Sequence, residues 1–476
     1  MSLPDTRLSV LTLNCWGLLL PNHRQHRIRV IGQHMLEMNP GYDIVGLQEV
    51  WAPQDFILIR EIVKDVLPYS KHWTSGLFGS GLATFSKYPI VSSSLTRFAL
   101  NGDPWPVWQG DWYDGKSCGS VVVSHPLVGE IEVFNTHYHA TYDPVGTDDN
   151  YLGARISQAW EMSKLFRQSA GLGRQVLAFG DFNSPPRSLA VALLTQYGGV
   201  TDSWGSIHPL SQALPRNLTA EQGATLLGIT CDTPLNTWTS DSTWINEISR
   251  DPIGERLDYI FFSASSEFRC LGSEVVLQEK VPGVGSGPNA PLINVSDHFA
   301  VHSVFSVNKN GPPVPRTIPS DPMSFSSSSS PDPKNDSSTL TNLLEQVLST
   351  LKQHLTRAQS KSIRMMYIVT PLLLLATVGL MIGMLWIDFN PRWTLLLAIL
   401  GVSLLTVSWV ACFSYGFFYG GETVSAFTNV IQEVQLALEH SRGSNGGVFP
   451  LRDEPFLECS GGQAQAMPAG GPIHLN

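Results

Sequence analysis

Residues 366–387 and 394–419 are apolar runs of 22 and 26 residues without a single charged side chain, separated only by Asp388-Phe389-Asn390-Pro391-Arg392. About 20 residues of helix cross the hydrocarbon core of a bilayer, so no other feature constrains the fold as much. The five intervening residues leave room for a tight turn, and the two runs predict a transmembrane helical hairpin. A buried helix pair inside a soluble protein is the competing reading. Both runs exceed the roughly 18-residue length at which uncharged segments read as spans, which favours the bilayer. Lys352, Arg357, Lys361 and Arg364 precede the first run and place that side in the cytosol, and an even number of spans returns the C-terminus to it.

Two apolar stripes at helical spacing flank the hairpin: Leu340, Leu343, Leu344, Val347, Leu348, Leu351 and Leu355 before it, and Val424, Phe427, Ile431, Val434 and Leu438 after it. They predict cytosolic helices over 338–364 and 422–442 that pair antiparallel just outside the membrane. Upstream, residues 309–337 carry seven prolines and the run Ser326–Ser330, a composition too polar to pack. The expected organisation is a catalytic block 1–308, a linker 309–337, a membrane region 338–442 with spans 366–387 and 394–419, and a disordered tail 443–476. A fragment 1–337 is expected to fold by itself.

The formal net charge of −10 argues against nucleic acid as partner, because neutralising phosphates needs a basic face. A metal ion can still bring positive charge to a site. Six dispersed cysteines without a CxxC pair indicate neither zinc nor a disulfide framework. The N-terminus lacks a basic stretch followed by an apolar run, so no signal peptide is expected and the catalytic part is read as cytosolic. On that reading the glycosylation patterns at Asn217 and Asn294 are accidental. Oligomeric state is not legible.

Short apolar or alternating runs at 8–14, 43–49, 82–86, 119–124, 131–137, 176–181, 258–263 and 300–307 read as strands, with helical patterns at 24–38, 54–66 and 151–169. Many of these strands end in Asn, Glu, His or Asp, the arrangement of a layered α/β fold with its active site at strand ends. Five motifs carry chemistry: Leu13-Asn14-Cys15-Trp16-Gly17, Leu47-Gln48-Glu49, Thr136-His137-Tyr138-His139, Gly180-Asp181-Phe182-Asn183 and Ser296-Asp297-His298. Phosphodiester hydrolysis needs an activated water, neutralisation of the phosphoryl oxygens and help for the leaving alkoxide. Glu49, a lone strand-end carboxylate, suits magnesium, with manganese as the alternative ion, and Asn14 supports that metal or touches the phosphate. Asp181 orients the water while Asn183, two residues on and pointing the same way, donates to a phosphoryl oxygen. His298 needs a carboxylate to orient it, either Asp258 or Asp297. His137 is the second imidazole. Each motif alone is weak; their order along matching strands is not.

Gly110-Asp111-Trp112-Tyr113-Asp114-Gly115-Lys116-Ser117 satisfies the nucleotide-binding pattern GxxxxGK[ST]. That pattern works only where a helix follows the loop, whereas Ser117 runs into a strand, so ATP binding is rejected. Trp105, Trp108, Trp112 and Tyr113 suit either a lipid-touching surface or an inward-packed wall.

With Asn101-Gly102, Asn135-Thr136-His137-Tyr138-His139-Ala140 and Gln158-Ala159-Trp160 added to these motifs, residues 8–307 resemble the endonuclease/exonuclease/phosphatase superfamily. More specifically they resemble its neutral sphingomyelinases and inositol phosphosphingolipid phospholipases C. The resemblance implies a four-layer α/β/β/α DNase-I-like sandwich and magnesium-dependent cleavage on the ceramide side of the phosphate. It also implies that Glu49 binds the metal with help from Asn14. Asp181 and Asn183 would position water and stabilise the transition state, His298 would act as base, and His137 would stabilise charge or assist the leaving group. Asp111 and Lys116 would form a contact linked to activity and set by anionic phospholipid, or else be mere packing. A sphingolipid substrate follows, with the head group open. The endoplasmic reticulum is the first expectation for the membrane, then the mitochondrial outer membrane or plasma membrane. A membrane-tethered phosphoinositide phosphatase or a nuclease of the same superfamily is the alternative.

Overall fold

The computed structural model describes residues 6–18, 22–143, 148–208, 218–239, 253–265, 267–284, 290–307, 333–387 and 393–443. The expected linker as far as residue 332, the hairpin turn 388–392, the tail beyond 443 and the Asn217 pattern lie outside these residues. Helix begins at Pro333, inside the segment expected to be linker. A proline in the first helical turn sacrifices no hydrogen bond, which makes it a natural starting point.

Fourteen strands are described: β1 Arg7–Asn14, β2 Ile44–Gln48, β3 Tyr69–His72, β4 Ala83–Ser86, β5 Ile90–Arg97, β6 Ser117–His125, β7 Gly129–His137, β8 Gln175–Asp181, β9 Thr201–Asp202, β10 Asp258–Phe262, β11 Phe268–Val276, β12 Val281–Pro282, β13 Leu292–Ile293 and β14 Ala300–Val307. One sheet runs β11-β14-β1-β2-β4-β3 and the other β5-β6-β7-β8-β10-β9. The only parallel pairings among them, β1 with β2 and β7 with β8, lie inside the two sheets. Their C-terminal ends carry Asn14, Glu49, His137 and Asp181. In the antiparallel ladders, Asp258 stands opposite Asp181, and His298 lies two residues before β14, the partner of β1. Strand direction alone therefore delivers every expected catalytic side chain to one edge of the sandwich.

The sheets pack through Leu8, Val10, Ile44, Val121, Val133, Leu177, Phe179 and Phe305. The fit is close at Gly46, where an added Cβ would lie 1.8 Å from the Phe179 ring. On the outer face of the first sheet, α1 (Arg24–Glu37) and α2 (Pro53–Val63) bury Ile28, Ile31, Met35 and Ile59. α3 (Asp111–Asp114) is a single turn, and α4 (Leu152–Gly171) covers the second sheet with Ile156, Trp160 and Phe166. This is the four-layer α/β/β/α sandwich. Burial of each large apolar side chain contributes roughly 1.5–3 kcal/mol.

The C-terminal region consists of two long helices, 339–383 and 393–442, each containing a stretch long and apolar enough to cross a membrane. Their polar ends, 339–364 and 420–442, pack antiparallel, with Thr341 hydrogen-bonded to Ser441, and Ser362 donates to the Gly416 carbonyl at the end of the second apolar run. The two stripes do more than meet each other. Leu344, Val347, Leu351, Phe427, Val430 and Val434 join the core around Trp160, whose indole donates to Glu433 at 2.6 Å. A fragment ending at residue 337 would expose that face.

Within α4, Glu161 is held partly buried beside the Ala99 amide. Burial pushes its carboxyl up to about 7 from its ordinary value near 4.5. A folded-state pKa raised above the unfolded one means that ionisation destabilises: stability is lost as pH rises from about 4.5 through about 7. Glu161→Gln is therefore expected to leave Tm nearly unchanged at pH 4 and to raise it by roughly 2–4 °C at pH 8, as read by calorimetry in detergent.

Candidate active site

The strand ends converge tightly. Asn14 Nδ2 donates to Glu49 Oε1 and to Asp181 Oδ2, both at 3.1 Å, linking the two sheets. His298 Nδ1 lies 2.8 Å from Asp258 Oδ2, while its Nε2 faces Asp181 Oδ2 at 3.8 Å. His137 Nε2 approaches the same Asp181 oxygen at 3.5 Å. Asn14, His137, Asp181, Asp258 and His298 are all buried.

The loops after β1, β2 and β8 leave the strands through strained backbone. Trp16, Glu49 and Asn183 have φ of 48°, 58° and 44°, conformations that non-glycine residues rarely adopt. Gly17 permits the first two to coexist, since a Cβ there would stand 2.1 Å from the Glu49 carbonyl oxygen. Because the strand ends at Asp181, the alternation expected to align Asn183 with it does not continue. Asn183 instead turns back, its amide nitrogen donating to Asp181 Oδ1 and its side chain to the Tyr138 carbonyl. One of its two side-chain N–H bonds is then left for a ligand.

Of the two carboxylates expected to orient His298, the contact is made by Asp258. Asp297 instead accepts from Ser296 Oγ at 3.2 Å, and its carboxyl is raised by burial against the pull of His298 and Arg27. Asp111 and Lys116 do meet, as a buried ion pair at 2.7 Å. Despite burial, Lys116 and His139 hold the Asp111 carboxyl well below the ordinary range.

Burial alone would keep the His298 ring neutral. The Cys231 sulfur and the Asp258 carboxylate reverse this and raise the imidazole well above its ordinary range. Burial pushes the Cys231 thiol itself well up, so it is uncharged near neutrality and the carboxylate supplies the electrostatic part. His137 is the opposite case: burial, then Lys116, lower it well below the ordinary range. Burial and the neighbouring Asp258 push Asp181 up to about 7.

These upward shifts mark a carboxylate cluster that would be relieved by a cation. Asp181, Asp258 and His298 offer donor atoms within 4.8 Å of one another, but Asp258 Oδ2 and His298 Nδ1 are engaged with each other. Glu49 is better suited. Its Oε2 is buried with no hydrogen-bond partner, and its carboxyl is raised first by burial and then by Asp297. An orphaned carboxylate oxygen beside the Asn14 amide, in a site of hard oxygen donors, fits a divalent metal ion.

Two contributors were not anticipated from sequence. Cys231 Sγ lies 3.3 Å from His298 Nε2, and nothing in its surroundings signals this. Arg27 is fully buried and donates to the carbonyls of Cys15, Trp16 and Val295, pinning the loops that carry Asn14 and His298. Its signal was legible: it lies on the apolar stripe of α1, four residues before Ile31 and eight before Met35.

A model of the endonuclease/exonuclease/phosphatase family matches residues 11–298, a span that opens just before Asn14 and closes on His298. The chain belongs to that family. Among members of the endonuclease/exonuclease/phosphatase family, the inositol phosphosphingolipids phospholipase C of Schizosaccharomyces pombe is 39% identical over 314 residues, covering 65% of this chain and 71% of that one. Sphingomyelin phosphodiesterase 2 of Homo sapiens is 32% identical over 307 residues, covering 64% and 66%. Among solved structures, sphingomyelinase C from Streptomyces griseocarneus is 20% identical over 63% of this chain and 99% of its own, with a TM-score of 0.45. Membership of the family makes the chain a hydrolase, and its four-layer sandwich is the DNase-I-like fold.

Proposed function

We propose that this protein is a membrane-anchored, magnesium-dependent phospholipase C that hydrolyses sphingolipid phosphodiesters. The substrates are inositol phosphosphingolipid, sphingomyelin or both, and the products are ceramide and the phosphorylated head group. The observation that carries the reading is the His298–Asp258 pair facing Asp181, beside the unpartnered Glu49 oxygen, in a chain 39% identical to a phospholipase C of this substrate class.

Magnesium held by Glu49 with Asn14 would neutralise charge on the phosphoryl group and on the departing alkoxide. Asp181 accepts a hydrogen bond from the attacking water and aims it at phosphorus. In its neutral form His298 Nε2 takes the proton as the water oxygen bonds to phosphorus, while Asp258 keeps the Nδ1 hydrogen in place and stabilises the imidazolium that results. His137, held neutral, gives an N–H to the charge that develops, and Asn183 gives its remaining amide hydrogen. The bond from phosphorus to the ceramide oxygen breaks, and that oxygen recovers the proton.

The basic flank of the first apolar helix turns the catalytic layers to the cytosol, on the endoplasmic reticulum by first expectation. In this reading anionic phospholipid activates the enzyme through the Asp111–Lys116 pair, which sits close enough for Lys116 to lower the Glu49 carboxyl. Lys116→Ala is expected to lose stimulation by acidic phospholipid while keeping its magnesium dependence. The neutral pair Asp111→Asn/Lys116→Met controls for the stranded buried charge, whose cost is about 3–5 kcal/mol. A wild-type lipid titration curve for Lys116→Ala would reduce the pair to packing.

The reading as a whole is tested by offering the purified protein, in detergent with magnesium, sphingomyelin, inositol phosphoceramide and a phosphoinositide side by side. Ceramide release from either of the first two is expected. Release of inorganic phosphate from the phosphoinositide alone would favour the phosphatase alternative.

A further inference from the structure

Two loops near the catalytic edge expose apolar side chains that the chemistry above does not use. The first carries Leu77 and Phe78, the second Trp105, Val107 and Trp108; Leu77 and Trp108 are 74% and 79% exposed. Both loops lean on α3. The Leu77 amide donates to the Tyr113 carbonyl at 2.6 Å, and the Phe78 and Tyr113 rings are in contact. Four residues beyond Leu77, Gly81 accepts from the Val50 amide and lies against Glu49. The apolar tips thus stand at the rim of the catalytic site.

The height of the second loop relative to the apolar helices is fixed. Asp103 accepts from Lys361, before the first apolar helix, and from the Tyr415 hydroxyl at 2.8 Å, at the end of the second. The Tyr419 hydroxyl donates to the Gly102 carbonyl at 2.7 Å, and the Trp105 ring meets Tyr415 edge-on at 5.8 Å. Tyr415 and Tyr419 end the second apolar helix, where aromatic side chains favour the headgroup level. Any bilayer spanned by these helices meets the second loop there.

We propose that Leu77, Phe78, Trp105, Val107 and Trp108 form a rim that enters the headgroup region of the same bilayer. The rim seats the mouth of the site on the lipid surface, so a sphingolipid phosphate reaches Asp181 and His298 with its ceramide still in the membrane. The inference rests on the membrane-anchored reading above. It commits to lipid as the occupant because the exposed patch is continuous with the end of an apolar helix. Trp112 and Tyr113, in contrast, are half-buried and pack inward beneath the loops.

The test uses the full chain in phosphatidylcholine vesicles. Trp108→Cys, in a Cys459→Ser background, is labelled with a polarity-sensitive fluorophore and challenged with brominated lipids. Blue-shifted emission and quenching are expected. In parallel, Leu77→Ser/Phe78→Ser/Trp108→Ser should hydrolyse a monomeric short-chain sphingomyelin as wild type does, yet lose about ten-fold on vesicle-borne sphingomyelin, because local concentration falls. Protein that sediments with carbonate-washed vesicles but shows an unshifted, unquenched label overturns the rim alone. Protein extracted by carbonate overturns the anchoring reading and the rim with it. Equal loss on both substrates assigns these residues to folding, and loss of a dimer by light scattering with vesicle activity unchanged assigns the patch to a second copy; either result overturns the proposal.

Discussion

Glu49→Gln is expected to abolish magnesium-supported hydrolysis without unfolding the protein. The substitution keeps the shape of the side chain and the Asn14 contact but removes the negative charge that the cation needs. In the metal-free protein that charge is unwelcome, since burial and Asp297 both oppose it. The variant should therefore be at least as stable as wild type without magnesium. What it should lose is stabilisation by the metal, which for a single site grows as RT ln(1 + [L]/Kd) and reaches about 2.7 kcal/mol at a hundred times Kd. Melting curves across a magnesium series read this independently of activity. A variant that kept both turnover and the magnesium-dependent rise in Tm would show that Glu49 is not the ligand.

The second large effect is at His298. His298→Ala should lower kcat by roughly 10²–10⁴, the usual consequence of deleting a general base. The partner residues sharpen the assignment. Asp258→Asn removes the negative charge 2.8 Å from Nδ1 and should cost activity by the same route, less severely. Asp297→Asn should have the smaller effect, because its carboxylate is bonded to Ser296 rather than to the ring. The reverse order in measured kcat would transfer the orienting role to Asp297.

Sequence periodicity disclosed the interior of the sandwich and missed its borders, for a physical reason. The strands absent from the sequence reading include β3, β5, β9 and β11, the four edges of the two six-stranded sheets. β5, Ile90–Arg97, carries three consecutive serines and is largely exposed. β11 is interrupted by a register shift between Cys270 and Gly272. Edge strands need not bury two faces, so they lack the apolar runs that betray central strands. The candidate residues Asn14, Glu49, His137 and Asp181 were legible because they stand at the C-terminal ends of central strands, where a polar residue after an apolar run stands out.

What sequence did not disclose is how these residues pair and what lies beneath them. The choice between Asp258 and Asp297 depends on β10 running antiparallel to β8, which sets Asp258 opposite Asp181. Sequence proximity pointed instead to Asp297, the immediate neighbour of His298. The flanking stripes predicted that helices 339–364 and 420–442 would meet, but not that α4 would complete their core. An amphipathic stripe states that a face is buried without naming its partner. The Glu433 carboxylate joining Trp160 and Lys164 is a contact between residues about 270 positions apart, beyond the reach of any local pattern.

The central claim is that water attacks phosphorus and the ceramide oxygen leaves. Hydrolysis in water enriched in heavy oxygen tests this directly. With the full-length protein, magnesium and whichever sphingolipid it cleaves, the label should appear in the phosphorylated head group, and the released ceramide should carry none. Heavy oxygen in the ceramide hydroxyl, or phosphate retained on the ceramide, would contradict this mechanism.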